Sequence, residues 1–386
     1  MQNISTKLKI AFFIDTISCD TSGTEKQLIA TISRLNRNFF EPILIVLHDS
    51  PWLQNNALPC RQISLNYSGF FSIKFFSVIK HFIQLIENLK IDIIQTFFND
   101  TIFITYLVSY LSPRKFVFIT SRRDIGLGIL NQPWYHRLYK LLFPIISYRY
   151  DGVITNSHEV KKYVISHEKI RDDKIVAINN GIDLPTFNLN RNLPIVKQSS
   201  EIWIVMTASF NPVKRHDILL NAIEILSKSI NHLFKVILLG SGPLQSQIQA
   251  SAKMLKVNEY LFFAGSVQNV TDYLRHSDIA MLCSDREGLS NAIIEYMVCG
   301  LPVIATAVGG NVDLVNDYNG ILIPPNSPQS LANALRHLIC NQNERDRLGQ
   351  AAKSFIVDNF SWEQTMNATE SYYIKCFNKK GRTFVN

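Results

Sequence analysis

The sequence predicts an α/β protein of two doubly wound domains in tandem. Three observations carry the prediction. Apolar runs of strand length alternate with helix-length amphipathic stretches, the alternation comes in two series, and an Asn- and Pro-rich stretch without periodicity separates the series. With 386 residues, 47% hydrophobic and 18% charged, the chain has the size and composition to bury two cores.

The first series opens with "KIAFFID" (9–15), and a helix is expected from about Thr24. "PILIVL", "IDIIQTFF", "KFVFITS" and "DGVITNS" follow, each separated from the next by a stretch long enough for a crossover helix. The second series runs through "EIWIVMTASF", "FKVILLGSGP", "YLFFAG", "DIAMLCS" and "LPVIATA". Between them, "NNGIDLPTFNLNRNLPIVKQSS" (179–200) reads as the linker. Ligands of such sheets bind at the carboxyl ends of the strands, so the loops that follow the strands are where chemistry is expected.

Composition narrows the function. Residues 1–195 hold 22 Lys and Arg against 15 Asp and Glu, a surplus of seven in a chain whose net charge is +8. A basic first half attracts nucleic acid, anionic lipid or a phosphorylated substrate. Nucleic acid fits poorly, because the cations are dispersed and no zinc-finger, helix-turn-helix or RNA-binding signature occurs. The six cysteines are scattered without metal spacing and read as small buried hydrophobes of a reducing compartment. "MQNISTKLKIAFFID" lacks the long apolar core of a signal peptide, and no uncharged run reaches spanning length. A cytoplasmic location is the expectation.

The stretch "REGLSNAIIEYMVCGLPVIATAVGG" (286–310) concentrates the chemistry. A strand ending near Cys283 leads to a polar loop with Glu287, and then to a helix expected from near Gly288 with Gly300 as its stop. Unpaired N–H groups at such a helix start favour a diphosphate or a sugar hydroxyl. Glu295, seven residues past Gly288, would share that face and accept from a vicinal diol such as a ribose. Glu287 would meet the group beyond the phosphates. Spacing alone favours two solvated acids beside an ordinary helix, and it is the surrounding segments that favour a site.

These residues resemble the E-x7-E signature of retaining glycosyltransferases of the GT-B fold, family 4. "SGTEKQL" (22–28), "VITNS" (153–157), "NNGID" (179–183), "TASFNPVKRHDILLNAI" (207–223), "LLGSGP" (238–243), "FFAGSV" (262–267) and "GLPVIATAVGGNVDLV" (300–315) are similar to the family's segments, in order. The resemblance implies two Rossmann-like domains facing a central cleft. Residues 1–184 would form the acceptor side, 185–362 would bind the nucleotide sugar, and a helix at about 363–386 would pack back on the first domain. It implies metal-independent transfer of a hexose or hexosamine, with retention, to a lipid-linked or growing surface-glycan acceptor. Lys214 would meet the diphosphate and Glu287 a donor hydroxyl. Gly288, Leu289 and Ser290 would give N–H groups, with Asn291 in support. Glu295 would hold the ribose, Ser266 and Val267 would border the base, and Gly23 and Thr24 would let the backbone approach.

Two departures stand out. The family often has Arg where this chain has Ser209, and Arg215 is the candidate replacement. Where the family often has a cleft histidine, "ITSRRDIG" presents Arg122 and Arg123. An arginine binds a phosphate bidentately but is no base at neutral pH, and an ion pair of Arg123 with Asp124 is its plain alternative. No Asp-x-Asp triplet occurs, so no metal and no other cofactor is expected beyond the co-substrate, a UDP-sugar ahead of a GDP-sugar. Two other classes stay open: a nucleotide-sugar 2-epimerase, and a non-catalytic sugar-nucleotide-binding relative.

The acceptor side interleaves aromatics with cations. In "WYHRLYKLLFPIISYRY" (134–150), Trp134, Leu138, Leu141, Ile145 and Tyr148 recur at helical spacing, with Arg137 and Lys140 elsewhere. Such a stripe suits either an anionic membrane surface or the core face of a crossover helix. Peripheral attachment to the inner face of the plasma membrane is the corresponding alternative for location.

Overall fold

An apolar run without a polar face needs cover on both sides, and crossover helices provide it. The computed structural model describes residues 7–20, 23–67, 69, 74–123, 136–183 and 193–381. Its strands form two parallel sheets, and the chain divides into two units: Met1–Gly181 with Glu363–Asn386, and Ile182–Trp362.

The first unit holds β1 (Leu8–Ile14), β2 (Phe40–Val46), β3 (Arg61–Ser64), β4 (Ile93–Thr96), β5 (Val117–Arg122), β6 (Gly152–Thr155) and β7 (Ile175–Ala177). Their order is β3-β2-β1-β4-β5-β6-β7. Phe13, Phe82, Phe118 and Tyr150 pack in the core on one face. The closing helix, Trp362–Lys379, belongs to this unit. Its Tyr372 hydroxyl donates to the Lys174 carbonyl (2.6 Å) and accepts from the Val153 N–H (3.1 Å), and its Tyr373 hydroxyl donates to Gln95. Gly152 is required beneath it, because a Cβ there would lie 2.7 Å from the Cys376 sulfur.

The second unit holds β8 (Ile202–Thr207), β9 (Phe234–Leu239), β10 (Leu261–Gly265), β11 (Ile279–Leu282), β12 (Val303–Thr306) and β13 (Gly320–Ile323), in the order β10-β9-β8-β11-β12-β13. Trp203, Phe210 and Tyr296 are buried in its core. In each sheet the chain adds strands outward and then returns to the other side of its first strand. The strand order therefore reverses between β1 and β4, and between β8 and β11. Loops diverge at those two places and leave room for a ligand.

The strands missing from the sequence reading are β3, β7 and β13, and their cause is shared. All three lie at sheet edges and are only partly buried, so they need no continuous apolar run, whereas β4, β6, β11 and β12, equally short, are buried throughout. The cysteines are free, but only Cys283 and Cys376 are buried and Cys340 is exposed, which corrects the reading of all six as buried hydrophobes; burial pushes the Cys283 thiol up to about 12.

The helix His136–Ile146 turns Ile146 into the core, and of the spaced stripe it leaves Leu141 and Ile145 exposed, at 74% and 56%, with Tyr148 in the turn Ser147–Arg149 exposed at 82%. The core-facing reading is therefore wrong for these three. Trp134 and the side chains of Arg137, Leu138 and Lys140 lie outside the described residues. Among those described, no helix is long and apolar enough to cross a membrane.

Candidate active site

Three loops meet at the carboxyl ends of β8, β11 and β12, three neighbours in the second unit's sheet. After β8, Asn211 caps a single 3-10 turn, Pro212–Lys214, by accepting from the N–H groups of Val213 (3.0 Å) and Lys214 (3.3 Å). Arg215 then takes a left-handed conformation (φ 49°) and starts the helix His216–Ser227. This kink points successive side chains in different directions, so Lys214 and Arg215 part ways.

Lys214 Nζ lies 2.5 Å from Glu287 Oε1, across 73 residues of sequence. The Ser284 hydroxyl, buried, donates to the same oxygen at 2.6 Å. Arg215 is held twice, by Asp217 (2.9 and 2.8 Å) and by Asp285 (2.8 Å). Those carboxylates push its guanidinium up, and the Arg215 hydrogen bonds push Asp217 down. Two backbone contacts finish the stitching: Asp285 N–H to the Val213 carbonyl at 2.8 Å, and the Cys283 thiol to the Arg215 carbonyl at 3.3 Å. The lysine loop and the glutamate loop are thus one piece.

The third loop follows β12. Thr306 donates its hydroxyl to the Ser284 carbonyl at 2.6 Å, and the Gly310 N–H donates to the Gly288 carbonyl at 2.7 Å. Gly309 and Gly310 press so closely that a Cβ would fall 1.9 Å from the backbone carbonyl oxygen of Glu287 and 2.0 Å from that of Gly288. Only glycine permits this approach.

The helix expected from Gly288 begins three residues later, and this is a correction. Ser290 is its N-cap, accepting from the Ile293 N–H at 3.4 Å, and the helix runs Asn291–Val298. A serine hydroxyl outcompetes a helical turn at that position, so Gly288, Leu289 and Ser290 carry loop N–H groups instead. Gly300 stops the helix in a left-handed conformation (φ 79°). Glu295 is half-buried on this helix, but Gly288 no longer shares a helical face with it. Val267 packs partly buried behind β10, beside Ser266, whose hydroxyl meets that of Ser241 at 2.8 Å. His216 is buried and stacks on Phe210 at 4.3 Å, and burial followed by the Lys214 charge pushes it down to about 4. Asp285, Asp217 and Ser284 were missed in the sequence, where polar residues beside a motif look like ordinary loop.

In the first unit, Gly23 opens the helix Gly23–Arg34. Arg122 and Arg123 follow one another at the end of β5, so they face opposite sides of the sheet. Arg122 pairs with Glu168 at 2.8 Å, both buried, and covers the Phe143 ring at 4.5 Å. A phosphate-facing role does not fit a guanidinium held there, and that expectation is corrected. Arg123 donates to Asn180 at 2.8 Å beside Tyr373, along a cavity of about 20 Å³, room for about one water. Burial pushes its guanidinium down to about 10. Its other proposed partner, Asp124, lies outside the described residues. At the β1 end, a residue the sequence did not flag, Asp15, is pushed up to about 7 by burial and then by Asp100.

Two doubly wound parallel sheets in tandem match the GT-B architecture of glycosyltransferase structures. Residues 194–355 match the family described as Glycosyl transferases group 1, and residues 21–185 match Glycosyltransferase Family 4. The two matches, one in each unit and together spanning most of the chain, mark it as a glycosyltransferase of the group 1 type. It is 28% identical over 236 residues to an uncharacterized glycosyltransferase of Methanocaldococcus jannaschii, covering 58% of this chain and 65% of that one. It thus spans just under two thirds of that relative. It is 23% identical over 354 residues to the N-acetylgalactosamine-N,N'-diacetylbacillosaminyl-diphospho-undecaprenol 4-alpha-N-acetylgalactosaminyltransferase of Campylobacter jejuni, covering 90% and 93% of the two chains. Its fold matches a glycosyltransferase structure from Rickettsia africae with a TM-score of 0.79 at 20% identity, over 96% and 98% of the chains. A second match is Anabaena HepE in complex with UDP, with a TM-score of 0.76 at 18% identity, over 94% and 99%.

Proposed function

We propose that this chain is a retaining, metal-independent glycosyltransferase that moves a hexose or hexosamine from a UDP-sugar to a lipid-linked or growing-glycan acceptor. The observation that carries the reading is the Lys214–Glu287 pair, buried on its carboxylate side and set between loops that glycine contacts hold fast. One Lys214 N–H is taken by Glu287, which leaves two for a diphosphate. As the bond from the sugar's anomeric carbon to the phosphate oxygen breaks, charge grows on the diphosphate, and an ammonium already in place stabilises that transition state most. The acceptor oxygen bonds to the same face of the carbon, and its proton passes to the departing phosphate oxygen. Gly288, Leu289 and Ser290 offer N–H groups, Glu295 takes the ribose and Val267 borders the base. The Campylobacter relative's name, with its diphospho-undecaprenol and alpha linkage, supports the acceptor class and the stereochemistry. The UDP complex of a fold neighbour supports the nucleotide.

The test combines melting and turnover. With EDTA present, UDP at a hundred times its dissociation constant should stabilise the protein by about 2.7 kcal/mol. Lys214→Ala and Glu287→Ala should each lower turnover of the UDP-sugar by about a hundredfold or more. Near-parental turnover in both variants refutes the reading.

A further inference from the structure

We infer that Ser284 is a positioning residue for Glu287, fixing which carboxylate oxygen faces the donor; this rests on the glycosyltransferase reading above. Glu287 is 7% exposed, and a carboxylate so buried needs hydrogen-bond donors. Both of its described donors reach one atom: Oε1 receives the Lys214 ammonium and the Ser284 hydroxyl, while no described group reaches Oε2. Oε2 is therefore the oxygen left for a hydroxyl of the sugar.

The two donors differ in kind. Lys214 is a point charge on a flexible stem, and in the reaction it has to serve the diphosphate as well. Ser284 is fully buried, and its hydroxyl has no solvent to turn to. It is fixed in turn by Thr306, also buried, whose hydroxyl holds the Ser284 carbonyl. While Lys214 shares its protons with the leaving phosphate, the serine keeps Oε1 in place and the carboxylate does not rotate. Lysine alone orients the acid only while it is idle.

The experiment measures UDP release from UDP-glucose and from UDP-N-acetylglucosamine, with water as the acceptor, for the full chain. Ser284→Ala should lower kcat by about ten- to a hundredfold, with KM for the donor within a few-fold of the parent. Ser284→Thr, which keeps the hydroxyl, should recover most of the loss. If the added methyl prevents folding, Thr306→Val serves instead, with a smaller fall in kcat at unchanged KM. The decisive comparison is made in the Glu287→Ala background, where Ser284→Ala should have no further effect, because a residue acting through Glu287 has nothing left to position. An equal loss in both backgrounds, or full activity of Ser284→Ala, overturns the role of Ser284 and leaves the enzyme reading standing. A parent protein that neither binds nor cleaves either donor overturns both.

Discussion

Asp15 and His216 are buried groups whose titrations act on stability in opposite senses. Asp15 rises from an ordinary 3.8 to about 7, so the fold holds its proton more tightly than the unfolded chain does. That contribution is complete below about pH 4 and is lost as the pH rises to about 7. His216 falls from 6.5 to about 4, so its contribution is complete above pH 6.5 and is lost as the pH falls to about 4. Between these limits the two slopes offset, and above pH 6.5 only Asp15 remains. Asp15→Asn should therefore raise the melting midpoint more at pH 8 than at pH 5. An equal difference at both values would refute the assignment. Other residues show what sequence can convey at this scale. Lys214 and Glu287 were legible because each lies in a recognisable segment, but their pairing was not, since 73 residues separate them. For Arg122 and Arg123 the pattern gave two cations and no means of choosing a face, which depends on where β5 ends.

At the level of elements, the three loops behave as one. Gly310 tests this cleanly, because its φ of −68° suits any residue and only the space is missing. Gly310→Ala should lower the melting midpoint by several degrees, the usual result of overpacking by one methyl, and should lower turnover through the displaced Glu287 loop. Unchanged melting and turnover would show that the loop gives way freely. The central strands were legible because burial on both faces leaves long apolar runs. Of the edge strands only β10 was, and the start of the helix Asn291–Val298 was not, because a capping hydroxyl decided against a helical reading of "EGLS".

For the whole molecule, the telling surface lies on the first unit. Tyr110, Leu111, Leu141, Ile145 and Tyr148 are exposed on two packed helices and the turn after them, and the Arg149 guanidinium covers the Tyr110 ring at 4.3 Å. Aromatic and aliphatic groups interleaved with a cation suit an anionic bilayer surface, and the charge surplus of this half acts in the same direction. Ile145→Ser with Tyr148→Ser should cut the fraction bound to phosphatidylglycerol vesicles about tenfold or more, without changing the melting midpoint. Equal binding by parent and variant would exclude this surface. The closing helix carries a different consequence. Tyr372, Tyr373 and Cys376 complete a core begun at residue 8, so on the ribosome the first unit has to wait for residues translated about 200 positions after its last strand. At usual translation rates that delay is roughly 10–40 s. The contiguous Ile182–Trp362 segment needs no such delay, so the half made second is free to fold first.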